Sequence, residues 1–198
     1  MTTKGGRTRR RILEVVVDLL ETRSYDAMSI AEITRRAEIT RPAFYFHFAS
    51  LGAAVAGVLE ELAEDFVTVA AAWYEHPGGD PLAGVPEALE STIALWRGHA
   101  RLMDAVSRAA AVDTEASQVV AAWVDELTAR AADRLRRDIS AQLPAGGPSV
   151  ESLATFMVGA TFEAMRRDVR SIVQTGEPST EVAETLVHVW TQVLAARR

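Results

Sequence analysis

The sequence predicts an all-α protein in which a three-helix helix-turn-helix domain precedes a larger helical domain, with about nine helices in total. Apolar residues recur at intervals of three and four along the chain, and no segment shows the alternation typical of a strand. Ser29, Thr40, Ser50, Asp113 and Ser149 each precede one of these segments and can cap a helix there. We place a domain boundary after residue 50, and in the second domain we predict helices near residues 51–74, 82–98, 100–111, 115–143, 150–174 and 180–196.

Residues 29–48, SIAEITRRAEITRPAFYFHF, predict two short helices joined by a tight turn. Ser29 and Glu32 have the spacing of a capping box before the first helix. Thr40 can cap the second helix, and Pro42 lies in its first turn, where a missing N–H costs nothing. This arrangement is a helix-turn-helix, whose second helix can enter the major groove of DNA. The spacing alone leaves open an ordinary αα-hairpin with an aromatic core.

The polar residues of the second helix suit DNA. Arg41 can form two hydrogen bonds with a guanine edge or can pair with a phosphate. Thr40 and the free N–H groups beside it can hold a phosphate at the start of the helix. Tyr45 and His47 can donate hydrogen bonds to phosphate oxygens, which fix the register of a protein on the duplex.

The net charge of −6 is unevenly distributed along the chain. Residues 1–50 carry a net charge of +3, whereas the remaining residues carry −9. This asymmetry predicts that only the N-terminal part contacts nucleic acid. Within that part, residues 4–11 form a basic segment that contains glycine. This segment predicts either a disordered tail or an arm that lies along phosphates or in the minor groove.

Several classes of function are disfavoured by composition. The chain has no cysteine, which excludes disulfides, thiol catalysis and cysteine-based metal sites. Its four histidines lack metal-ligand spacing, and no nucleotide-binding or serine-hydrolase motif is present, so we expect neither an enzyme nor a cofactor. Glu163 is either a carboxyl group in a pocket or a salt-bridge partner of Arg166 or Arg167.

No apolar run approaches the ~20 residues of a membrane span, and we expect a cytoplasmic protein.

The segment ITRPAFYFHFASLGAAV, residues 39–55, resembles the recognition-helix signature of the TetR family of bacterial repressors. Residues 12–37 resemble that family's first two helices, and the resemblance covers about residues 7–62. The chain departs from the family at Glu38, where glycine is usual, and at Leu51, where lysine is usual and contacts a phosphate. Together with the capping pattern, the resemblance implies DNA contacts from Ser29, Thr40, Arg41, Pro42, Ala43, Tyr45, Phe46 and His47.

Four tryptophans are spread over the predicted helices from residue 51 onward, together with several Phe and Met residues. They indicate either core packing or an apolar cavity for a lipophilic ligand. The resemblance implies the cavity, because members of the family hold an inducer in this domain. Within the family the pattern is closest to ethionamide-type repressors, although Val158 and Thr161 replace that pocket's paired asparagines. The implied ligand-binding residues are Val85, Thr92, Trp96, Met103, Trp123, Val124, Phe156, Val158, Thr161, Phe162 and Trp190.

The resemblance also places a homodimer interface on the last two helices. The implied contact residues are Ala154, Met157, Val158, Thr161, Leu186, Val189, Trp190 and Val193. A two-fold dimer implies a pseudo-palindromic operator with half-sites about one helical turn apart. We therefore expect a homodimeric transcriptional repressor that a hydrophobic small molecule releases from double-stranded DNA. The alternatives are a helical lipid-binding or protein-interaction module without sequence-specific DNA binding, and a repressor that responds to no ligand.

Overall fold

The computed structural model describes residues 4–76, 80, 82–139, 147–179 and 181–195, and within them it contains helices and no strand. The all-α prediction is confirmed, and nine of the helices in this described part have seven residues or more. In chain order the helices are α1 (Lys4–Thr22), α2 (Ile30–Arg36), α3 (Arg41–His47), α4 (Leu51–Val69), α5 (Ala71–Tyr74), α6 (Val85–Gly98), α7 (Ala100–Val112), α8 (Thr114–Ile139), α9 (Val150–Thr175) and α10 (Val182–Ala195).

The chain divides into two compact units. Residues 1–63 and 101–121 form the first unit, and residues 64–100 and 122–198 form the second. The helix-turn-helix lies wholly in the first unit, together with the beginning of α4 and most of α7. The boundary after residue 50 therefore stays a prediction about functional domains, because packing alone extends the first unit beyond it.

The core of the first unit joins α1 to the helix-turn-helix. Ile12, Val16 and Leu19 of α1, Ile33 of α2 and Phe44 of α3 have no exposed surface. Their spacing along α1 gives that helix one apolar face, as an amphipathic helix requires. Burial of this face fixes the orientation of α2 and α3 relative to α1.

The basic N-terminal segment is helical from Lys4 onward, so the prediction of a disordered tail is wrong for the described residues, whereas its contact with DNA stays a prediction. Side-chain contacts explain why the helix extends so far. The guanidinium of Arg9 lies 5.3 Å from the centre of the Phe48 ring, and it pairs with Glu60 at 3.0 Å. A cation above an aromatic face and an ion pair both favour the ordered conformation.

The turn between α2 and α3 is a Schellman motif with a glutamate at the left-handed position. Ile39 donates its N–H to the carbonyl of Thr34 at 3.0 Å, and Glu38 donates to Arg35 at 3.3 Å. Glu38 has a φ of 52°, in the region where glycine is favoured. Its carboxylate pairs with Arg11 at 2.7 Å, but both side chains are largely exposed, so this contact contributes little.

We expect Glu38→Gly to be more stable than Glu38→Ala by about 1 kcal/mol, because only glycine avoids the contact of Cβ with the backbone in the left-handed conformation. Both variants lose the ion pair with Arg11, so the alanine variant is a matched control for charge. Urea denaturation followed by circular dichroism measures the difference. An alanine variant as stable as the glycine variant would show that this turn carries no conformational strain.

The helix predicted over residues 51–74 is interrupted. It ends at Val69, Ala70 adopts a ψ of 0°, and the short helix α5 follows. After this step Trp73 is buried, with its ring 5.1 Å from that of Trp190. The other predicted helices are present with shifted ends, and residues 140–146, 180 and 196 of the predicted segments lie outside the described residues.

The second unit has a core formed by α6, α8, α9 and α10, which includes Ala131, Leu135, Ala154, Met157 and Leu194. Two buried charged side chains tie loops to this core. Asp168 of α9 has no exposed surface, accepts two hydrogen bonds from Arg97 and accepts one from the Ser179 N–H at 2.8 Å. Arg134 of α8 is the other, and it donates to the carbonyls of His76 and Asp80.

Candidate nucleic-acid interface and apolar cavity

Helix α3 presents its polar face to solvent. Thr40, Arg41 and Pro42 are exposed at its start, and Ala43 and His47 are half-buried. Tyr45 keeps 49% of its surface exposed, and Phe46 keeps 83%. Ser29, at the start of α2, is also exposed. All eight residues predicted to contact DNA are therefore accessible to some extent, while Phe44 and Phe48 of the same segment are buried beneath them.

The start of α3 is built as the sequence predicts. The Thr40 side chain accepts a hydrogen bond from the Ala43 N–H at 3.3 Å, and Pro42 lies in the first turn. The free N–H groups and the positive end of the helix dipole face outward, where they favour an anion. Arg41 forms no ion pair with any described residue, so its guanidinium is available to a ligand.

The arginines within α2 and shortly before it are held differently from Arg41. Arg23, Arg35 and Arg36 all pair with Glu32, at 2.6, 3.6 and 3.3 Å respectively. The capping box is confirmed in one direction, because Ser29 accepts from the Glu32 N–H at 3.3 Å. Glu32 thus neutralises part of the basic charge of α2, which leaves α3 as the better anion-binding helix.

Ser50, shortly after the helix-turn-helix, connects the starts of α4 and α8. Ser50 caps α4 by accepting from the Ala53 N–H at 2.9 Å, and its hydroxyl donates to Asp113, which lowers the pKa of that carboxyl group. Asp113 also accepts from the Ala116 N–H at 2.9 Å and so caps α8, as predicted. A Cβ at Gly52 would lie 2.7 Å from that of Asp113, so only glycine allows this close approach. Sequence patterns identify the two caps but not their contact, because it joins residues 63 positions apart.

The second unit encloses an apolar cavity of about 70 Å³. Four aromatic rings form one wall, where Phe66 lies 5.0 Å from Trp123 and Trp96 lies 5.5 Å from Phe162 between ring centres. Trp73, Tyr74 and Trp190 line it as well, so all four tryptophans of the chain contribute. Among the described residues, the lining consists of Phe66, Ala70, Trp73, Tyr74, Val85, Ala88, Leu89, Thr92, Trp96, Trp123, Leu127, Val158, Thr161, Phe162 and Trp190.

The polar groups of the cavity wall are few, and two of them form a short chain of hydrogen bonds. The Trp190 indole donates to the Thr161 hydroxyl at 2.9 Å, and this hydroxyl donates to the Met157 carbonyl at 2.9 Å. Burial raises the pKa of Tyr74 to about 12, so the phenol stays neutral at physiological pH. Of the lining residues that the structure describes, none is charged at neutral pH.

Three of the residues predicted to bind a ligand do not line this cavity. Met103 is buried in the first unit, on α7. Val124 packs against the core of the second unit, one position beyond the lining residue Trp123. Phe156 is 63% exposed, whereas Leu153, Met157 and Val158 of the same helix are buried. The periodicity of α6 could have identified Ala88 and Leu89, which share a face with the predicted residues of that helix.

The predicted dimer residues are mostly buried within the second unit itself. Ala154, Met157, Val158, Leu186 and Trp190 keep between 0% and 7% of their surface exposed, so the expectation that they face a partner is wrong. The outward face of α9 instead carries Phe156, Gly159 and Ala160, and α10 exposes Val189. A Cβ at Gly159 would meet no atom within 4 Å, so this face is open.

Glu163 is a salt-bridge partner and not a pocket acid. Its carboxylate accepts hydrogen bonds from Arg166 and Arg167, each at 2.7 Å, and these contacts lower its pKa to about 2. Such a group stays ionised at neutral pH and cannot act there as a general acid. Among the residues that the structure describes, no group of three or more side chains could hold a metal ion.

The geometry of the first unit defines a helix-turn-helix protein, and comparison with known proteins refines this class. Residues 12–50 match the family of bacterial regulatory proteins called the tetR family. The A-factor receptor protein of Streptomyces griseus is 36% identical over 58 residues, which are 29% of this chain and 21% of that protein. The match thus spans about a fifth of that relative's length.

Solved structures share the fold along nearly the whole chain. A protein from Syntrophomonas wolfei described as a TetR-family transcriptional regulator superposes with a TM-score of 0.70, at 18% identity, over 96% of this chain and 95% of its own. Salmonella enterica GusR gives a TM-score of 0.64 at 19% identity, over 98% of each chain. Residues 12–50 therefore resemble the tetR family of regulatory proteins, and the chain has the fold of the compared structures.

This family consists of transcription factors and not of enzymes, which supports the prediction that the chain has no catalytic activity. Among the described residues, no single helix is long and apolar enough to cross a membrane, although α3 and α4 together, bent by 51°, meet the criteria of length and composition.

Proposed function

We propose that the protein is a homodimeric transcriptional repressor that binds a pseudo-palindromic operator in the cytoplasm and leaves it when a hydrophobic small molecule occupies the cavity of the second unit. The observation that carries the proposal is helix α3. Its capped start is exposed, Arg41 has no ion-pair partner among the described residues, and Tyr45 and Phe46 extend into solvent.

The same helix supports a contribution from apolar readout. Phe46 is 83% exposed between Tyr45 and His47, and an apolar ring gains little from contact with water. In a major groove the ring can pack against the methyl group of thymine, which distinguishes thymine from the other bases. Leu51 provides no cation for phosphate, so exposed arginines such as Arg41 supply charge in its place.

In vitro selection from a random DNA library tests the proposed function. A symmetric repressor enriches an inverted repeat whose half-site centres lie about 34–36 Å apart or a multiple of that distance. An asymmetric motif would contradict the dimer, and the absence of any enriched motif would contradict sequence-specific binding.

The alternative of a lipid-binding or protein-interaction module predicts a different response to salt. A repressor that neutralises several phosphates shows a linear fall in the logarithm of its affinity with the logarithm of salt concentration. Titration of the selected duplex at several salt concentrations measures this slope. Binding that is weak and the same for every sequence would favour the module.

The proposed dimer uses the outward face of α9 together with α10. Phe156 is a large exposed side chain beside the small residues Gly159 and Ala160, so a partner helix can approach closely and cover the ring. Exposed aromatic residues of this kind dominate the free energy of many interfaces. Val189 of α10 adds a further exposed apolar side chain.

We expect Phe156→Glu to raise the dimer dissociation constant at least about thirtyfold, because it removes a central apolar contact and buries a charge. Val112→Glu is the matched control, since Val112 is 77% exposed on α7 and lies outside the proposed interface. Sedimentation equilibrium measures both variants. Equal dimer stability in the two would place the interface elsewhere.

A pocket of the ethionamide-repressor type belongs to the same proposal. Support comes from Val85, Thr92, Trp96, Val158, Thr161 and Trp190, which all line the cavity. Ligand and operator must weaken each other's binding by the same factor, because coupling between two sites is reciprocal. A compound found to bind should therefore bind less tightly when the operator is present.

A further inference from the structure

Trp123 carries a buried hydrogen-bond donor without a partner. Its side chain lines the cavity and is 6% exposed, and its Nε1 donates to no described group. The nitrogen is also closed to water in this conformation. A buried donor that has lost water and gained no acceptor destabilises the structure that contains it.

The indole of Trp190, in the same wall, does have a hydrogen-bond partner. Nε1 of Trp190 donates to Thr161, whose own hydroxyl proton is used by the Met157 carbonyl. The buried polar atom without a partner at this wall is therefore a donor, and it calls for an acceptor on whatever enters.

The size of the cavity shows how such an acceptor can reach Trp123. About 70 Å³ is well below the ~300 Å³ or more of typical small-molecule sites, so a ligand must separate the rings that now touch. Trp123 lies in the middle of these rings, with centres 5.0 Å from Phe66, 6.0 Å from Trp96 and 5.9 Å from Phe162. Separation of this cluster uncovers the indole.

The lining also restricts the charge of the ligand. None of the described lining residues is ionised at neutral pH, so a carboxylate or an ammonium group would lose its water without gaining a counter-charge from them. Apolar and aromatic surface is what the remaining residues offer.

We propose that the cavity binds an uncharged, largely apolar ligand with an oxygen acceptor, such as a ketone, ester or ether, that accepts a hydrogen bond from Nε1 of Trp123. This inference rests on the proposed ligand-binding role of the second unit. It adds the chemical class of the ligand and the residue that selects it.

A matched pair of probes tests the inference. 1-Phenylhexan-1-one and hexylbenzene have the same ring and chain length and differ in one carbonyl group. Dissociation constants are measured by tryptophan fluorescence, which reports directly on the cavity because all four tryptophans line it. The ratio of the two constants is compared between the wild-type protein and Trp123→Phe, so the different solubilities of the probes cancel.

We expect the preference for the ketone to fall about tenfold in Trp123→Phe, the effect of losing one hydrogen bond in a buried site. Trp96→Phe is the control, since it removes an indole from the same ring cluster and should leave the ratio unchanged. Circular dichroism verifies that both variants are folded. A ratio that Trp123→Phe leaves unaltered, or that Trp96→Phe alters equally, overturns the inference but leaves the proposed cavity in place. Failure of both probes to bind the wild-type protein overturns the inference and the proposed ligand-binding role together.

Discussion

Replacing Arg41 with alanine is expected to weaken binding to the selected operator by about 2–6 kcal/mol. A bidentate contact with guanine contributes about 1–3 kcal/mol at each half-site, and a symmetric dimer presents the contact twice. Arg41 is exposed at the capped start of α3 and has no competing carboxylate among the described residues, so its free side chain loses no ion pair on binding. Titration of a labelled duplex in a gel-shift experiment measures the loss.

Arg101→Ala separates the specific contact from a change of net charge. Arg101 is exposed on α7 in the same unit, and it lies outside the predicted DNA-contact set. Both variants lose one positive charge per protomer, so equal affinities would remove Arg41 from the contacts. Titration of mutated duplexes then identifies the kind of contact. Loss of a base contact relaxes preference at one position, whereas loss of a phosphate contact weakens all sequences uniformly and reduces the salt slope by about one per contact.

Arg134→Met is expected to destabilise the protein by about 3–5 kcal/mol, because it leaves the Asp138 carboxylate buried without its counter-charge. Arg134 has no exposed side-chain surface and Asp138 has 1%, and they pair at 2.7 Å. The variant also removes the donors to the carbonyls of His76 at 3.1 Å and Asp80 at 3.0 Å. Guanidinium chloride denaturation measures the change in the free energy of unfolding.

Arg136→Met provides the comparison on the same helix. Arg136 keeps 50% of its side chain exposed and pairs with Asp133 and Glu151 at the surface, where ion pairs contribute at most about 1 kcal/mol. Adding Asp138→Asn to Arg134→Met removes the unpaired charge and should recover part of the loss. If Arg134→Met and Arg136→Met were equally stable, burial of the Arg134–Asp138 pair would have no energetic consequence.

The sequence by itself determined most of the helices and the exposed segment that is proposed to contact DNA. Caps at Ser29, Thr40, Ser50, Asp113 and Ser149 are all present as predicted. Capping and amphipathic spacing act within a few residues of one another, so their pattern is readable in the linear order of residues. The exposure of α3 follows from the same local pattern, because Phe44 and Phe48 face the core and leave their neighbours outside.

Tertiary structure alone decided which faces of the long helices are covered. Phe156 and Met157 are adjacent large apolar residues of α9, yet the first is 63% exposed and the second 2%. Apolar character gave no means of telling them apart, because burial depends on which helices pack against each side. The cavity, the contact of Asp113 with Gly52 and the unpaired donor of Trp123 are likewise products of packing between segments distant in sequence. Residues with similar local patterns thus differ in burial, because contacts between distant segments, and not helix propensity, set their surroundings.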